Sequence, residues 1–486
     1  MNVVKVLVAA VLACMLISCS STPVDDGKVP ISTSSDKARE LFVQARNLNE
    51  GLRANDAIPL LEQALALDSN FAQAHLLMSQ VAPGAAEFFA SLDAARKSAA
   101  HASEAEQLMI TSFDAGVNGN TPVQEQTLQK LVAARPRDER VHTLVGNLYF
   151  AQQRYPEAIA AYQKALAIDS TFSPVYNQLG YSYRFSDKDA DAEIAFKKYI
   201  ELVPNDPNPY DSYAELLMKL GRFDESIAQY ERALKVQSTF QPSYFGIATN
   251  LNFLGRHEEA RVRLQQVLDA AENDGQRRAA FNAMAASYID EGKYDQALEM
   301  LTKQYDIAAT KNDFAAMSGD VNTIGNVLLE MGRYDDALKK FNETVEMQAK
   351  AENNSEKLSE QARLNFEYDA GRVAAWKGDL ETAKKYLASY QAKAEANQNP
   401  FQLWQAHQLA GIVAMQEKNW DEAISRLKQS NLQNPYNLYL IGEAYNALGD
   451  TARAPEYLHK AANFNLVNNI QQSMARRRVA RMTGEA

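Results

Sequence analysis

The chain has 486 residues, with 50 Lys and Arg against 61 Asp and Glu and a formal net charge of -11. That balance carries no basic stripe, which argues against nucleic acid as a partner and against an electrostatic contact with an anionic membrane. Cys14 and Cys19 are the only cysteines, so no thiol after position 19 remains for a disulfide, thiol redox chemistry or a cysteine-based metal site.

Met1 to Lys5 carries one positive charge, and Val6 to Ile17 is an apolar run too short to span a bilayer but of the length of a secretory-signal core. It ends in Leu16-Ile17-Ser18-Cys19, which resembles the lipobox of bacterial lipoproteins. The resemblance implies removal of the signal peptide, residues 1–18, and acylation of Cys19, which would anchor the protein by lipid in the envelope of a bacterium. Ser20 in place of Asp implies the outer membrane, facing the periplasm, where the host has two membranes. Loss of Lys5 with the signal would take the net charge from -11 to -12. Residues 19–36 are polar and carry prolines, the composition of a flexible tether behind the lipidated cysteine.

Residues 37–138 read as degenerate helical repeats. Asp56-Ala-Ile-Pro-Leu-Leu-Glu-Gln-Ala-Leu65 has the pattern of a second helix, Ser103-Glu-Ala-Glu106 has capping-box spacing, and Leu108 to Pro136 fits a further repeat.

From residue 139 one offset recurs: a small residue is followed twelve positions later by another. The pairs are Gly146/Ala158, Gly180/Ala192, Ala214/Ser226, Ala248/Ala260, Ala285/Ala297, Gly325/Ala337, Gly371/Ala383, Gly411/Ala423 and Gly442/Ala454. Two helices joined by a tight turn need small residues where their axes approach most closely. Between the pairs lie turns such as Leu220-Gly-Arg-Phe-Asp-Glu-Ser226 and Met331-Gly-Arg-Tyr-Asp-Asp-Ala337, in which Gly ends one helix and the acidic pair suits the start of the next. The chain here resembles the tetratricopeptide-repeat family: Tyr176, Leu179, Gly180, Tyr183, Ala192, Phe196, Tyr199 and Pro204 fall in one 34-residue window with the family's spacing. The resemblance implies an all-α, right-handed solenoid of stacked helix-turn-helix repeats, eleven or twelve hairpins in all.

Successive second small residues are 34, 34, 34, 37, 40, 46, 40 and 31 residues apart, counting from Ala158. Residues 139–274 therefore hold regular repeats, and residues 275–430 hold longer ones, with a change of superhelix geometry expected near Glu272 to Gln276. Residues 431–486 hold the last repeat and a C-terminal helix bearing Arg476, Arg477, Arg478 and Arg481. The simplest expectation for that helix is a solvated cap; its alternative is a docking contact with an acidic partner or lipid headgroups.

In the family, the first helix of each unit lines the inner surface, and its second, fifth, ninth, twelfth and thirteenth positions face the groove. With unit starts at 139, 173, 207, 241, 278, 318 and 364, sixteen of the side chains that the resemblance places there form a candidate partner-binding groove. The polar ones are Asn147, Asn177, Arg184, Thr249, Asn252, Asn282, Asn322, Asn326 and Arg372; the aromatic ones are Phe150, Tyr181, Phe185, Phe245, Phe253, Tyr368 and Trp376. An amide offers donors and an acceptor together, so it can satisfy the backbone of an extended peptide, while aromatics add contact area at low entropy cost. Asn322 and Asn326 are four apart and share one helix face. The family's carboxylate clamp, a lysine at the fifth position with an asparagine at the ninth, is not matched, since Thr143 accompanies Asn147.

No catalytic motif emerges. His257-Glu-Glu-Ala-Arg261 has Arg where a zinc-protease helix needs its second histidine, and Asp187-Lys-Asp-Ala-Asp191 lacks the glycine of a calcium loop. The expectation is a non-catalytic scaffold without cofactor or metal, holding an extended segment of another envelope protein. The resemblance to repeat-bearing lipoproteins implies outer-membrane protein assembly, secretin or pilus assembly, or polysaccharide export as settings. The alternative is a glycan- or peptidoglycan-binding protein, with Tyr181, Tyr368 and Trp376 stacking on sugar rings.

Overall fold

The computed structural model describes residues 26–484 except 52 and 353, so the signal-peptide and Cys19 expectations lie outside the described residues. Within them the chain is helical throughout and folds as a solenoid of antiparallel hairpins. The first three hairpins are α1 (Asp36–Glu50) with α2 (Ala54–Leu67), α3 (Ala72–Val81) with α4 (Ala85–Ser98), and α5 (Glu104–Val117) with α6 (Thr121–Ala134). Four regular ones follow: α7 (Glu139–Ala151) with α8 (Tyr155–Ile168), α9 (Ser173–Phe185) with α10 (Asp189–Leu202), α11 (Asn208–Lys219) with α12 (Phe223–Val236), and α13 (Gln241–Phe253) with α14 (His257–Asp269). Three long ones come next: α15 (Asp274–Glu291) with α16 (Tyr294–Thr310), α17 (Phe314–Glu330) with α18 (Tyr334–Lys350), and α19 (Glu356–Lys377) with α20 (Leu380–Asn397). The stack ends with α21 (Pro400–Gln416) and α22 (Trp420–Leu427), then α23 (Pro435–Ala447) and α24 (Arg453–Ala462), which makes twelve hairpins; α25 (Ile470–Thr483) stands alone.

The longer period after residue 274 comes from longer helices: α7 to α14 have 12 to 14 residues, whereas α15 to α21 have 17 to 22. The change falls between α14 and α15, which nonetheless pack directly on each other.

The small-residue pairs have a sharper cause than close axes alone. The second members Ala158, Ala192, Ser226, Ala260, Ala297, Ala337, Ala383 and Ala423 are fully buried. The first member is a seat for the bulky residue one turn beyond the second. A Cβ on Gly146 would lie 2.3 Å from the Tyr162 ring, one on Gly180 2.5 Å from Phe196, and one on Gly325 2.7 Å from Phe341. Real side chains do not approach that closely, so the aromatic of the second helix dictates glycine on the first. The core accordingly runs as neighbouring clusters along the stack.

The turns follow the expected chemistry. Gly332 ends the turn after α17 at φ +75°, in the left-handed region that costs glycine least. Gln153 and Lys418 occupy the matching place in their own turns at φ +59° and +60°, carrying side chains where L-residues are disfavoured. Ser103 and Glu106 form the expected capping box at the start of α5.

The tether expectation needs correction for its second half. Residues 28–34 run along the N-terminal ends of α3, α5 and α7 and are tied down there. Val29 N donates to Asp138 Oδ2 at 2.6 Å, Ser32 N to Glu106 Oε1 at 2.9 Å, and Ser34 N to Asp68 Oδ2 at 2.7 Å. Gln73 Nε2 donates to the Pro30 carbonyl at 2.6 Å, and Lys28 pairs with Glu139. A polar composition reads as a linker, but here polar side chains of the first repeats satisfy its backbone, while Val29 and Ile31 pack on the apolar clusters beneath.

Candidate partner-binding site on the inner face

The odd-numbered helices touch one another along the stack, α7 on α9, α9 on α11, α11 on α13 and α13 on α15, and so form its tighter row. The predicted groove residues all sit on this row, because each odd-numbered helix is the first of its hairpin. What they face differs along the molecule.

On the earlier units they are engaged by the chain itself. Asn147 Oδ1 accepts from the Tyr162 hydroxyl at 2.7 Å, and Phe150, Tyr155 and Phe185 form one aromatic group. Asn177 is buried, Tyr181 packs edge-on against Phe196 with its hydroxyl raised well above the usual range by burial, and Phe245 packs on the core. Asn252 accepts from Ser287 Oγ at 2.8 Å. Asn177, Tyr181, Phe245 and Asn252 were expected to serve a ligand and are instead turned to neighbouring helices, whereas Asn147 stays exposed.

Arg184, Thr249 and Phe253 are covered by residues from the far end of the sequence. After α24 the chain turns back across the inner face. Arg184 Nη2 donates to the Asn465 carbonyl at 3.4 Å, and Asn465 Nδ2 donates to the Met218 carbonyl at 3.1 Å. Asn468 N donates to Thr249 Oγ1 at 3.3 Å. Helix α25 then lies against α15, α23 and α24. Arg476 Nε donates to Asp290 Oδ1 at 2.9 Å and its guanidinium sits 4.6 Å from the centre of the Phe253 ring. Arg478 Nε donates to Glu330 Oε1 at 2.7 Å, with its guanidinium 5.6 Å from each of the Trp376, Tyr436 and Tyr439 rings. The solvated-cap expectation for the arginine-rich helix is therefore wrong: its charges find acids and aromatics within the same chain, because folding back brings the last unit onto the middle of the stack.

The acids that receive these arginines were missed by the sequence reading. Asp290 and Glu330 occupy the thirteenth position of the units starting at 278 and 318, and their side chains are only 5% and 3% exposed. The same positional rule that selected Asn282 and Asn322 would have selected them. Asp290 also meets His257 Nε2 at 2.9 Å, and Glu330 accepts from the Tyr436 hydroxyl at 3.1 Å.

Beside α25 a cavity of about 940 Å³ remains, bounded by the inner helices α17, α19, α21 and α23. Six of the predicted residues line it: Asn282, Asn322, Asn326, Tyr368, Arg372 and Trp376. Their amides are partly linked to one another. Asn326 Nδ2 donates to Asn322 Oδ1 at 3.1 Å, Asn322 Nδ2 to Asp369 Oδ2 at 3.1 Å, and Arg372 Nη1 to both Asn326 Oδ1 and Asp369 Oδ1 at 2.9 Å. Tyr368 bonds Gln408, which bonds Asn437, continuing the network across the wall. Burial raises the Tyr368 phenol to about 12 against the pull of Arg372, so it stays a neutral hydroxyl at physiological pH. Arg372 is held charged: burial lowers its pKa, but the Asp369 carboxylate hydrogen-bonded to it offsets this. The wall is thus a prearranged set of amides, one buried cation with its counter-ion, and aromatic faces. That set suits neutral polar groups such as peptide units or sugar hydroxyls.

Among the described residues, no three or more His, Cys, Asp or Glu side chains gather as a metal site, and no helix is long and apolar enough to cross a membrane.

Comparison with known proteins places these elements. Residues 146–184 match the model described as TPR repeat, and residues 208–240 and 280–313 match models described as Tetratricopeptide repeat. The chain is 33% identical over 96 residues to Protein STIP1 homolog of Dictyostelium discoideum, covering 20% of this chain and 17% of that protein. It is 23% identical over 254 residues to Tetratricopeptide repeat protein 37 of Xenopus laevis, covering 48% of this chain and 16% of that one. It thus spans less than a fifth of the length of either relative. A tetratricopeptide repeat protein from Parabacteroides merdae is similar at 15% identity and TM-score 0.37, covering 53% of this chain and 96% of its own. YrrB, described as a TPR protein with an unusual peptide-binding site, is similar at 22% identity and TM-score 0.26, covering 37% of this chain and 91% of its own. With three repeats matched in sequence and twelve helical hairpins stacked in order, the chain is a tetratricopeptide-repeat protein.

Proposed function

We propose that this protein is a non-catalytic scaffold that holds an extended segment of a partner protein in the cavity between α17, α19, α21, α23 and α25. The observation that carries this reading is the lining: amides from several helices, held in register by one hydrogen-bonded network, beside Tyr368 and Trp376. Amides arranged in series match the repeat of donors and acceptors along a peptide backbone, and rigid aromatics supply contact area.

The working place proposed for it is the bacterial envelope, on a lipid at Cys19, and this rests on residues 1–19 alone. The docked stretch 28–34 adds a constraint. About nine positions run from Cys19 to Lys28, where the docked stretch begins, a reach of roughly 30 Å fully extended, so an anchored chain would keep the edge of its first repeats close to the bilayer.

A photoreactive side chain at Asn322 or Trp376, with Lys339 on the outer helix α18 as control, tests the cavity. Crosslinks from the cavity positions to one continuous segment of a single protein are expected. Equal capture from Lys339 would remove the reading. The half-exposed Phe401, paired edge-on with Trp404 at the cavity wall, favours a glycan as the second reading. Competition by free oligosaccharide without protein capture would select it. Membrane fractionation of a Cys19→Ala form tests the anchor: release into the soluble fraction is expected, and unchanged sedimentation with membranes would exclude it.

A further inference from the structure

The residues that receive α25 form a surface in their own right. Asp290 and Glu330 come from the same repeat position of two successive units, the Tyr436 hydroxyl donates to Glu330, and the rings of Phe253, Tyr294, Trp376 and Tyr436 lie against the arginines of α25. Carboxylates flanked by aromatic faces suit guanidinium groups, which take a hydrogen bond in the plane and a ring against the flat side. We infer that this surface is a docking site for an arginine-bearing amphipathic helix of a partner protein, and that α25 is an internal occupant which such a helix displaces.

The way α25 is held supports exchange. It sets Met474, Ala475 and Val479 into the neighbouring apolar clusters, with Ile470 packed at their edge, and the rest of its attachment is ionic and polar. A helix that belonged to the permanent core would present a broad apolar stripe. The segment leading to it, residues 463–469, turns at Asn465 and Asn468, which take left-handed φ values of +57° and +47°, a conformation that asparagine tolerates. Polar atoms in this contact also lack hydrogen-bond partners, among them Asn465 Oδ1, Gln472 Oε1 and Arg477 Nε. Burial raises the Glu443 carboxyl and Arg478 opposes it, so this acid too leans on the incoming helix. An interface with unmet polar groups leaves room for a ligand that satisfies them better.

Departure of α25 would also remove Asn468, Ile470, Gln471, Met474 and Arg478 from the cavity wall and widen it. The inference thereby deepens the scaffold reading, since one helix would control access to the whole inner face. A tethered helix competes at an effective concentration of the order of millimolar, so the partner must bind well to win.

The test uses the full-length chain and a fluorescent synthetic peptide of residues 463–484 as probe. In an Arg476→Glu/Arg478→Glu form, the internal helix is repelled from Asp290 and Glu330 while the acceptor stays intact. Binding of the probe at least roughly 10-fold tighter than to the wild-type chain is expected, because the competent state is no longer occupied. An added Asp290→Asn/Glu330→Gln change should abolish it. No gain in probe binding, with helicity unchanged, would overturn the inference. In parallel, unlabelled peptide in excess over the roughly millimolar effective concentration of the tethered helix should speed amide exchange in residues 463–484 of the wild-type chain. Unchanged exchange there would also overturn it, whatever the fate of the charge variant. A shift to stable dimers would assign the occupant to a second copy of this chain and refute a separate partner. Probe binding that persists while the Asn322 and Trp376 crosslinks fail would leave this inference standing and remove the extended-segment reading.

Discussion

Arg478 and Glu330 are 148 residues apart in sequence, yet the guanidinium Nε donates to the carboxylate at 2.7 Å on the inner face of the solenoid. This pair, with Arg476 and Asp290, closes the last repeat onto the middle of the stack. A tetratricopeptide-repeat array joins neighbours only; here contacts of very long sequence separation are added to it.

Replacing Arg478 with Ala leaves the Glu330 carboxylate without its cation. Loss of one member of a buried pair costs about 3 kcal/mol, toward the lower end of the usual range because the Tyr436 hydroxyl still donates to Glu330. The loss should fall on α25 alone, read as accelerated amide exchange in residues 463–484 with α1 to α14 unaffected. Uniform acceleration along the chain would show instead that α25 supports the whole fold.

Gly180→Ala places a methyl group 2.5 Å from the Phe196 ring. Overpacking of this kind costs about 1–3 kcal/mol. Adding Phe196→Leu should recover part of that loss, since the two residues share one space and their effects cannot add. Additive losses in thermal denaturation would mean that the ring is not what demands glycine here.

Gln153 and Lys418 hold left-handed backbone in turns where other units use glycine. Gln153→Gly and Lys418→Gly should each stabilise the local hairpin by up to about 1 kcal/mol, the steric relief less the entropy that glycine loses on folding. A lower melting midpoint in the double variant would contradict this.

Asp211 is buried and accepts from Ser243 Oγ at 2.7 Å. Burial, reinforced by Glu215 one turn on, raises its carboxyl well above the ordinary range. Glu215 is raised as well, burial outweighing Arg184 and Tyr181. Both bind protons more tightly folded than unfolded. Their contribution is therefore fully present below the unfolded values near ~4 and is lost as pH rises through the raised folded values. Asp211→Asn keeps an acceptor for Ser243 without the charge, so it should slow exchange in α11 at pH 8 and change little at pH 4. Equal effects at both pH values would exclude the carboxylate as the cause.

Glu106 has the opposite sign. Burial pushes its carboxyl up, but hydrogen bonds from Ser32, Ser103 and Gln73 together hold it below the ordinary range. Its support for the docked stretch is present above the unfolded value and is lost as pH falls through the lower folded one. Glu106→Ala should make residues 28–34 open to proteolysis at neutral pH while the solenoid stays helical. Protection equal to wild type would show that the bonds to Asp138 and Asp68, with Val29 and Ile31, suffice to hold the segment.

The repeat architecture was legible in the sequence because it is local. A hairpin is specified by residues within one unit: the small pair twelve apart, the turn glycine and the acids that start the next helix. Even so, the partner of Gly180 became clear only in three dimensions, where Phe196 stands on it. The positional rule for the inner face placed Asn322, Asn326 and Arg372 together at the cavity, and the same rule contains Asp290 and Glu330.

What the sequence alone determined, then, is every feature that depends on short separation: an all-helical stack, its units, and which helix faces inward. Only the tertiary structure decided what that inner face meets. Residues 28–34 look like a linker and Arg476 to Arg481 like a solvated end, since polar composition does not say whether water or protein will satisfy a polar group. A backbone amide facing Asp138 and a guanidinium facing Glu330 are settled by closure of the whole chain, and no pattern within one repeat carries that distance.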